Sequence, residues 1–185
     1  MVMFETAPFC SPDELLQGLT YSPQNVKSHG LLVIRSSNVQ NGQLVFNDNV
    51  YVDCEIDEMH LVHKGDIIIC VRNGSSALIG KCAIADRDYN ATWGAFMTCV
   101  RSPRFEFLYQ VFCSSIIQKQ IHGKSNATIN QITNGDFREL TIPLPPLPEQ
   151  RAIAAALSDA DGYISALERL IAKKRNIKQG LCRSC

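Results

Sequence analysis

Thr141-Ile142-Pro143-Leu144-Pro145-Pro146-Leu147-Pro148-Glu149-Gln150-Arg151-Ala152-Ile153 is the stretch on which the reading of this chain turns. Prolines at 143, 145, 146 and 148 cannot continue a helix interior or a central strand, so residues 143–148 read as a stiff, extended connector. Composition changes sharply on its two sides. From Glu149 to Gln179 there is one glycine and no proline, and Ala, Leu, Ile, Lys and Arg dominate. Within it Ile153, Leu157, Ala160, Ile164, Leu167, Ile171 and Lys174 alternate spacings of four and three, the seam of a coiled coil. Tyr163, Leu170 and Ile177 widen the stripe. An isolated helix of this length is marginal in water, so residues 149–181 are expected to pair with a helix outside themselves. Lys173-Lys174-Arg175 suits a helix C-terminus, where cations oppose the dipole, and also offers phosphate contacts.

Residues 1–142 carry a mixed pattern. Ser11-Pro12-Asp13-Glu14 opens a brief helix, with a capping Ser, an early Pro and a Glu placed to cap back. Leu31–Ile34, Leu44–Phe46, Asp66–Val71, Leu78–Ala85 and Ala95–Val100 read as strands, and Asn41-Gly42 and Asn73-Gly74 as hairpin turns. Ser102-Pro103 starts a helix with an apolar face of Phe105, Leu108, Val111, Phe112 and Ile116, ending near Gly123. Short strands around one good helix make an α+β, strand-rich domain, followed by one long coiled-coil-forming helix.

Composition narrows the function classes. The 185 residues suffice for one domain plus an appended element, and 45% apolar content supports a true core. No apolar run spans a membrane and no secretory leader is recognisable at Met1–Cys10, so a cytoplasmic protein is expected. The eight cysteines are scattered through apolar stretches and read as reduced, buried thiols. Cys182 and Cys185 form a lone CxxC without a second pair, and His60 and His63 lack a metalloenzyme pattern, so no metal or other cofactor is expected. No G-x-G-x-x-G, Walker or G-x-S-x-G motif occurs, which sets an enzyme aside. Zero net charge weighs against nucleic acid, although acids concentrated at Asp48, Asp53, Glu55, Asp57, Glu58 and Asp66 leave other stretches locally basic.

Several segments together resemble the specificity (S) subunit of bacterial type I restriction–modification systems. The proline junction with its helix and Lys173 to Leu181 resembles the family's passage from a target-recognition domain into a helical spacer. Val33-Ile34-Arg35-Ser36-Ser37-Asn38-Val39-Gln40-Asn41-Gly42 is similar to its strand-turn motif, and Cys70 to Ser75 with Ile79 to Ala83 to its next hairpin. Gly123 to Ile129, on to Asp136-Phe137, resembles the lead into the junction. The resemblance implies a subunit that recognises double-stranded DNA but does no chemistry. Separate methyltransferase (M) and restriction (R) subunits would methylate adenine, translocate and cleave. S subunits carry two recognition domains and two spacers paired as an antiparallel coiled coil. One of each here implies a half-subunit or truncated copy, two of which would rebuild a reader through Ile153, Leu157, Ala160, Ile164, Leu167 and Ile171.

Base readout needs paired donors and acceptors at base edges. Arg35, Asn38 and Gln40 sit at a strand end and turn; Arg suits guanine, and Asn or Gln suits adenine, while the plain alternative is turn-making. Arg72, Asn73 and Ser75 form a second tip, where Asn73 equally serves the turn. Lys81 offers a contact or snorkels from its strand. Lys124, Ser125, Asn126 and Thr128 form a polar loop suited to phosphate or to plain solvation. Trp93, the only tryptophan, is expected in the core. The competing reading is a protein-interaction module without DNA binding, with the helix for dimerisation and Pro143–Pro148 as a polyproline ligand.

Overall fold

The computed structural model describes residues 5–124 and 131–183. In chain order its elements are β1 (Thr6–Pro8), β2 (Leu15–Gln17), β3 (Val26–Lys27), β4 (Leu31–Ile34), β5 (Val39–Gln40), β6 (Gln43–Leu44) and β7 (Val50–Val52). Then come β8 (Ile67–Cys70), β9 (Cys82–Ile84), β10 (Ala91–Trp93), β11 (Met97–Val100), α1 (Phe105–Cys113), α2 (Ser115–Lys124), α3 (Asn134–Glu139), β12 (Thr141–Pro143) and α4 (Leu147–Arg183). The fold is α+β, a strand-rich unit over residues 1–144 and a helical unit over 145–185.

Two four-stranded sheets build the first unit, in orders β10-β4-β7-β3 and β2-β11-β8-β9. All pairings are antiparallel except β10 with β4. Ile34, Ala91 and Trp93 of the first sheet meet Ile68, Cys70, Ala83, Met97 and Cys99 of the second in one apolar cluster. β8 is buried on both faces, which explains its unbroken run Ile67-Ile68-Ile69-Cys70. Ile68 and Cys70 face the cluster. Ile69 pairs with Cys82, whose sulfur lies 3.6 Å from that of Cys113 on α1, so the opposite face looks toward the helices. Phe112 of α1 bridges Phe9 and Phe137, with ring centroids 5.4 and 6.3 Å away.

Local chemistry explains the outcomes. Asn41 and Gly42, both with positive φ, close the expected two-residue hairpin between β5 and β6. Trp93 is fully buried, as expected, and its indole N–H donates to the Leu16 carbonyl at 3.3 Å. Asp66 is no solvated acid: it is buried and paired bidentately with Arg101 at 2.8 and 2.7 Å. The same guanidinium donates to the Met59 and Leu61 carbonyls, pinning residues 59–66. Cys10, Cys70, Cys82 and Cys99 are buried free thiols, whereas Cys113 is exposed. Burial pushes the Cys10 thiol up to about 11, with Glu14 adding and Arg104 opposing, so it stays protonated and unreactive.

Several expectations are corrected. The helix from Ser11 is a single 3-10 turn, Pro12–Glu14, because Leu15 enters β2. Leu44–Phe46 and Leu78–Ala85 shrink to β6 and β9, the latter preceded by a 3-10 turn at Ser76–Leu78. Asn73-Gly74 is no two-residue turn, since residues 71–81 separate β8 from β9. The helix from Ser102 breaks at Ser114, whose hydroxyl donates to the Val111 carbonyl at 2.6 Å. The connector 143–148 is shorter than expected. Pro143 ends β12, pairing with Thr6, and Pro148 lies in the first turn of α4, where its missing N–H costs nothing. No helix of the described residues is long and apolar enough to cross a membrane.

Gly18, just after β2, lies against the chain that follows β10. A Cβ there would stand 2.0 Å from the Gly94 carbonyl oxygen and 2.8 Å from that of Met97, both backbone atoms. Gly18→Ala is therefore expected to destabilise the chain by about 2–3 kcal/mol. A thermal melt should show a midpoint lower by roughly 5–10 °C.

Candidate nucleic-acid interface

The two tips singled out from the sequence meet in space. The Asn73 side-chain amide donates to Ser36 Oγ at 3.0 Å, and its oxygen accepts from the Ser75 N–H at 3.0 Å. One asparagine thus organises residues 73–75 and fastens them to residues 35–38. Beside this joint lies a cleft of about 620 Å³ walled by Tyr21, Arg35, Ser36, Ser37, Asp48 and Phe96.

Arg35 follows β4 and precedes the 3-10 turn Ser36–Asn38. One arm of its guanidinium pairs with Asp48 at 2.8 Å, and both side chains are solvent-accessible. Its Nε and the Ser37 hydroxyl are enclosed and have no hydrogen-bond partner among the described residues. Two such orphaned groups in a cleft wall are costly to leave unmet in the absence of a ligand or water.

Asn38 is fully buried, which corrects its expected place at a base edge. Its oxygen accepts from the Arg35 N–H at 3.0 Å, and its amide donates to the Val45 and Asp48 carbonyls at 3.0 and 3.1 Å. Every polar group is engaged in shaping the loop that presents Arg35, so no base edge can reach it. Gln40 is exposed and donates to the Ser37 carbonyl at 3.2 Å.

Arg72 is exposed, with its guanidinium carbon 5.2 Å from the centre of the Phe96 ring. Ser75 is exposed at the same tip. Lys81 is half-buried just before β9, its carbonyl accepting from the Cys70 N–H at 2.8 Å, and it is not brought into the cleft wall. Lys124 ends α2, but its side chain, with Asn126 and Thr128, lies outside the described residues. The acid Asp48 and the residues Ser36, Tyr21 and Phe96 were not singled out as site residues. Phe96 is separated from Arg72 by two strands' worth of chain, so no local pattern marks the pair.

On α4, Ile153 is half-buried and Ala160 exposed. Leu157, Ile164, Leu167 and Ile171 are exposed by between 44% and 59%, an apolar stripe too long for a lone surface helix. Among the described residues no group of three or more His, Cys, Asp or Glu side chains is arranged to hold a metal.

Asn38 and Gln40 should separate under mutation. Asn38→Ala leaves buried groups unpaired and should cost about 2–3 kcal/mol, whereas Gln40→Ala should stay within about 0.5 kcal/mol. Urea denaturation of both variants checks this, and equal costs would refute the assignment of Asn38 to the loop.

Comparison with known proteins bears on what this surface is for. The family model described as type I restriction modification DNA specificity domain matches residues 20–179. The chain is 30% identical over 186 residues to the specificity subunit of the type I restriction enzyme EcoKI of Escherichia coli K12. That match covers 96% of this chain but 39% of the relative, so the chain spans about two-fifths of its length. A chain solved in work on complex assembly and conformational transition of the type I R-M system superposes with a TM-score of 0.66. It is 22% identical, over 93% of this chain and 42% of that one. The type I S subunit from M. genitalium gives a TM-score of 0.60 at 22% identity, over 94% and 43%. The expected resemblance therefore holds over nearly the whole chain, and the chain belongs to the type I restriction modification DNA specificity domain family.

Proposed function

We propose that this chain recognises one half of a bipartite double-stranded DNA site, in the cytoplasm, for separate methyltransferase and restriction subunits, and catalyses nothing itself. The observation that carries this reading is the cleft beside the Asn73–Ser36 joint, whose wall includes the solvent-accessible Arg35 side chain. Acceptor atoms on a base edge or a phosphate would meet the solvent-accessible part of that guanidinium. Loops 35–37 and 72–75, fastened by Asn73, supply a preorganised set of donors: Arg35, Arg72 and Ser75. Preorganised side chains lose less freedom on binding.

Asp48 has a part in the same scheme. Its carboxylate holds one arm of Arg35, which fixes the fork and repels phosphate from that spot, favouring a base edge there. The membership of relatives named as specificity subunits in the same family supports the division of labour. α4 is the spacer. Its exposed stripe of Leu157, Ile164, Leu167 and Ile171 is matched to a second spacer helix, supplied by another copy of this chain.

Two outcomes are expected. Titrating the full chain into labelled duplex at rising salt should give a log–log slope of about −0.9 for each phosphate contacted. Salt-independent retention, or none at low salt, would instead favour a protein-interaction module. Arg35→Ala should lower discrimination between duplexes by about 1–3 kcal/mol. Separately, Leu167→Asp should convert a dimer into a monomer by light scattering; a variant of unchanged dimeric mass would sink the spacer assignment.

A further inference from the structure

Phe96 is an anomaly in its neighbourhood. It sits in the turn between β10 and β11, flanked by the buried Trp93 and Met97, yet it is 57% exposed. The core does not need the ring. Its backbone is nonetheless firmly held, since the Phe96 carbonyl accepts from the N–H groups of Val71 and Arg72 at 3.0 and 3.2 Å. The ring then lies under the Arg72 guanidinium, 5.2 Å from centroid to carbon. On the far side of Arg72, Asn73 is locked to Ser36 and to the Ser75 N–H. The arginine is thus fixed at its main chain on both sides and along its side chain by an aromatic face.

Charge partners distinguish this arginine from three others of the strand-rich unit. Arg35 pairs with Asp48, Arg101 with Asp66, and Arg104 lies 3.9 Å from Glu14. Arg72 has no ion-pair partner among the described residues. Arg87 provides an internal contrast: it also stacks on an aromatic ring, Tyr89, at 4.9 Å, but that ring's hydroxyl donates to Asp86, whose charge also acts on the same cation. Stacking leaves the edge of a guanidinium free, with its in-plane N–H groups directed outward. An exposed arginine otherwise gives up much rotamer freedom when it binds. The Phe96 platform removes most of that loss beforehand.

We propose that Phe96 is a positioning residue for DNA readout: its ring holds Arg72 as a preset fork for the O6 and N7 acceptors of one guanine. This rests on the DNA-recognition reading above and deepens it. The ring does not touch the base. It sets the plane from which two parallel N–H···acceptor bonds are made, a geometry that a lysine's point charge cannot reproduce.

The test uses the full chain and selection from a randomised duplex pool, with salt titrations on the selected sequence. Phe96→Leu keeps apolar bulk and removes the π face, and Phe96→Trp restores a π face. Phe96→Leu is expected to relax preference at a single G·C pair by roughly tenfold, with an unchanged salt slope. Arg72→Ala and Arg72→Lys should relax the same pair, Phe96→Trp should retain it, and the Phe96→Leu/Arg72→Ala double variant should lose little more than either alone. Arg87→Ala should leave the preference intact. The proposal is overturned if Arg72→Ala weakens all duplexes equally and lowers the salt slope by about 1, the mark of a phosphate contact. It is overturned equally if Phe96→Leu changes nothing where Arg72→Ala does, or if Phe96→Trp fails to rescue. A wild-type chain that selects no sequence would overturn the DNA reading itself and this inference with it.

Discussion

Burial of β8 on both faces is the constraint from which the rest of the recognition unit follows. A strand with Ile67, Ile68, Ile69 and Cys70 all buried must find hydrogen-bond partners on both edges and apolar cover on both sides. β11 and β9 supply the edges, the first sheet covers one face, and the helical layer covers the other. Where β8 ends, its partner β11 has just begun, so Arg72 emerges directly against the turn that carries Phe96. The candidate interface is thus an extension of the core register beyond the core. Its loops inherit their positions from strands that cannot slip without exposing isoleucine.

Polar side chains do the second half of this work. The loops are short on apolar anchors, and each is held by one amide side chain with all its groups engaged: Asn38 within the Arg35 loop, Asn73 between that loop and the next. Such bonds contribute modestly to stability one at a time, but leaving any of them unmade in a buried place is expensive, which makes the loops specific in shape. Aspartates act in the same way on the cations. Asp66 draws Arg101 into the fold, and Asp48 holds Arg35 at the rim. The chain's zero net charge is partly accounted for by such internal pairs, and it says little about the potential at the cleft.

The sequence was legible where periodicity was long or turn chemistry strict. Three heptads of alternating spacing marked α4, and Asn41-Gly42 marked the only hairpin with a two-residue loop among the described pairings. β4 and β8 came out close to the expected strands. What was missed were strands of two or three residues, such as β1, β3 and β12, which carry too few side chains for an alternation to register. Pro8 and Pro143 even argue against strands locally, and only the pairing of β1 with β12 across nearly the whole unit makes them so. The prolines of the junction were over-read in the other direction: only the few residues between β12 and α4 are a connector.

Taken alone, the residue order determined the division into a mixed unit and a long apolar-striped helix, the absence of familiar catalytic motifs, and the family likeness. These depend on local spacing and composition, which are written along the chain. Tertiary structure decided which polar residues are available to a ligand. Asn38 and Gln40 are two residues apart and chemically alike, yet one is sealed inside the loop and the other is exposed, because the loop closes around Asn38 through carbonyls at 45 and 48. Arg72 and Phe96 meet for the same reason: two antiparallel strands return the chain to the same place, a distance no local pattern encodes.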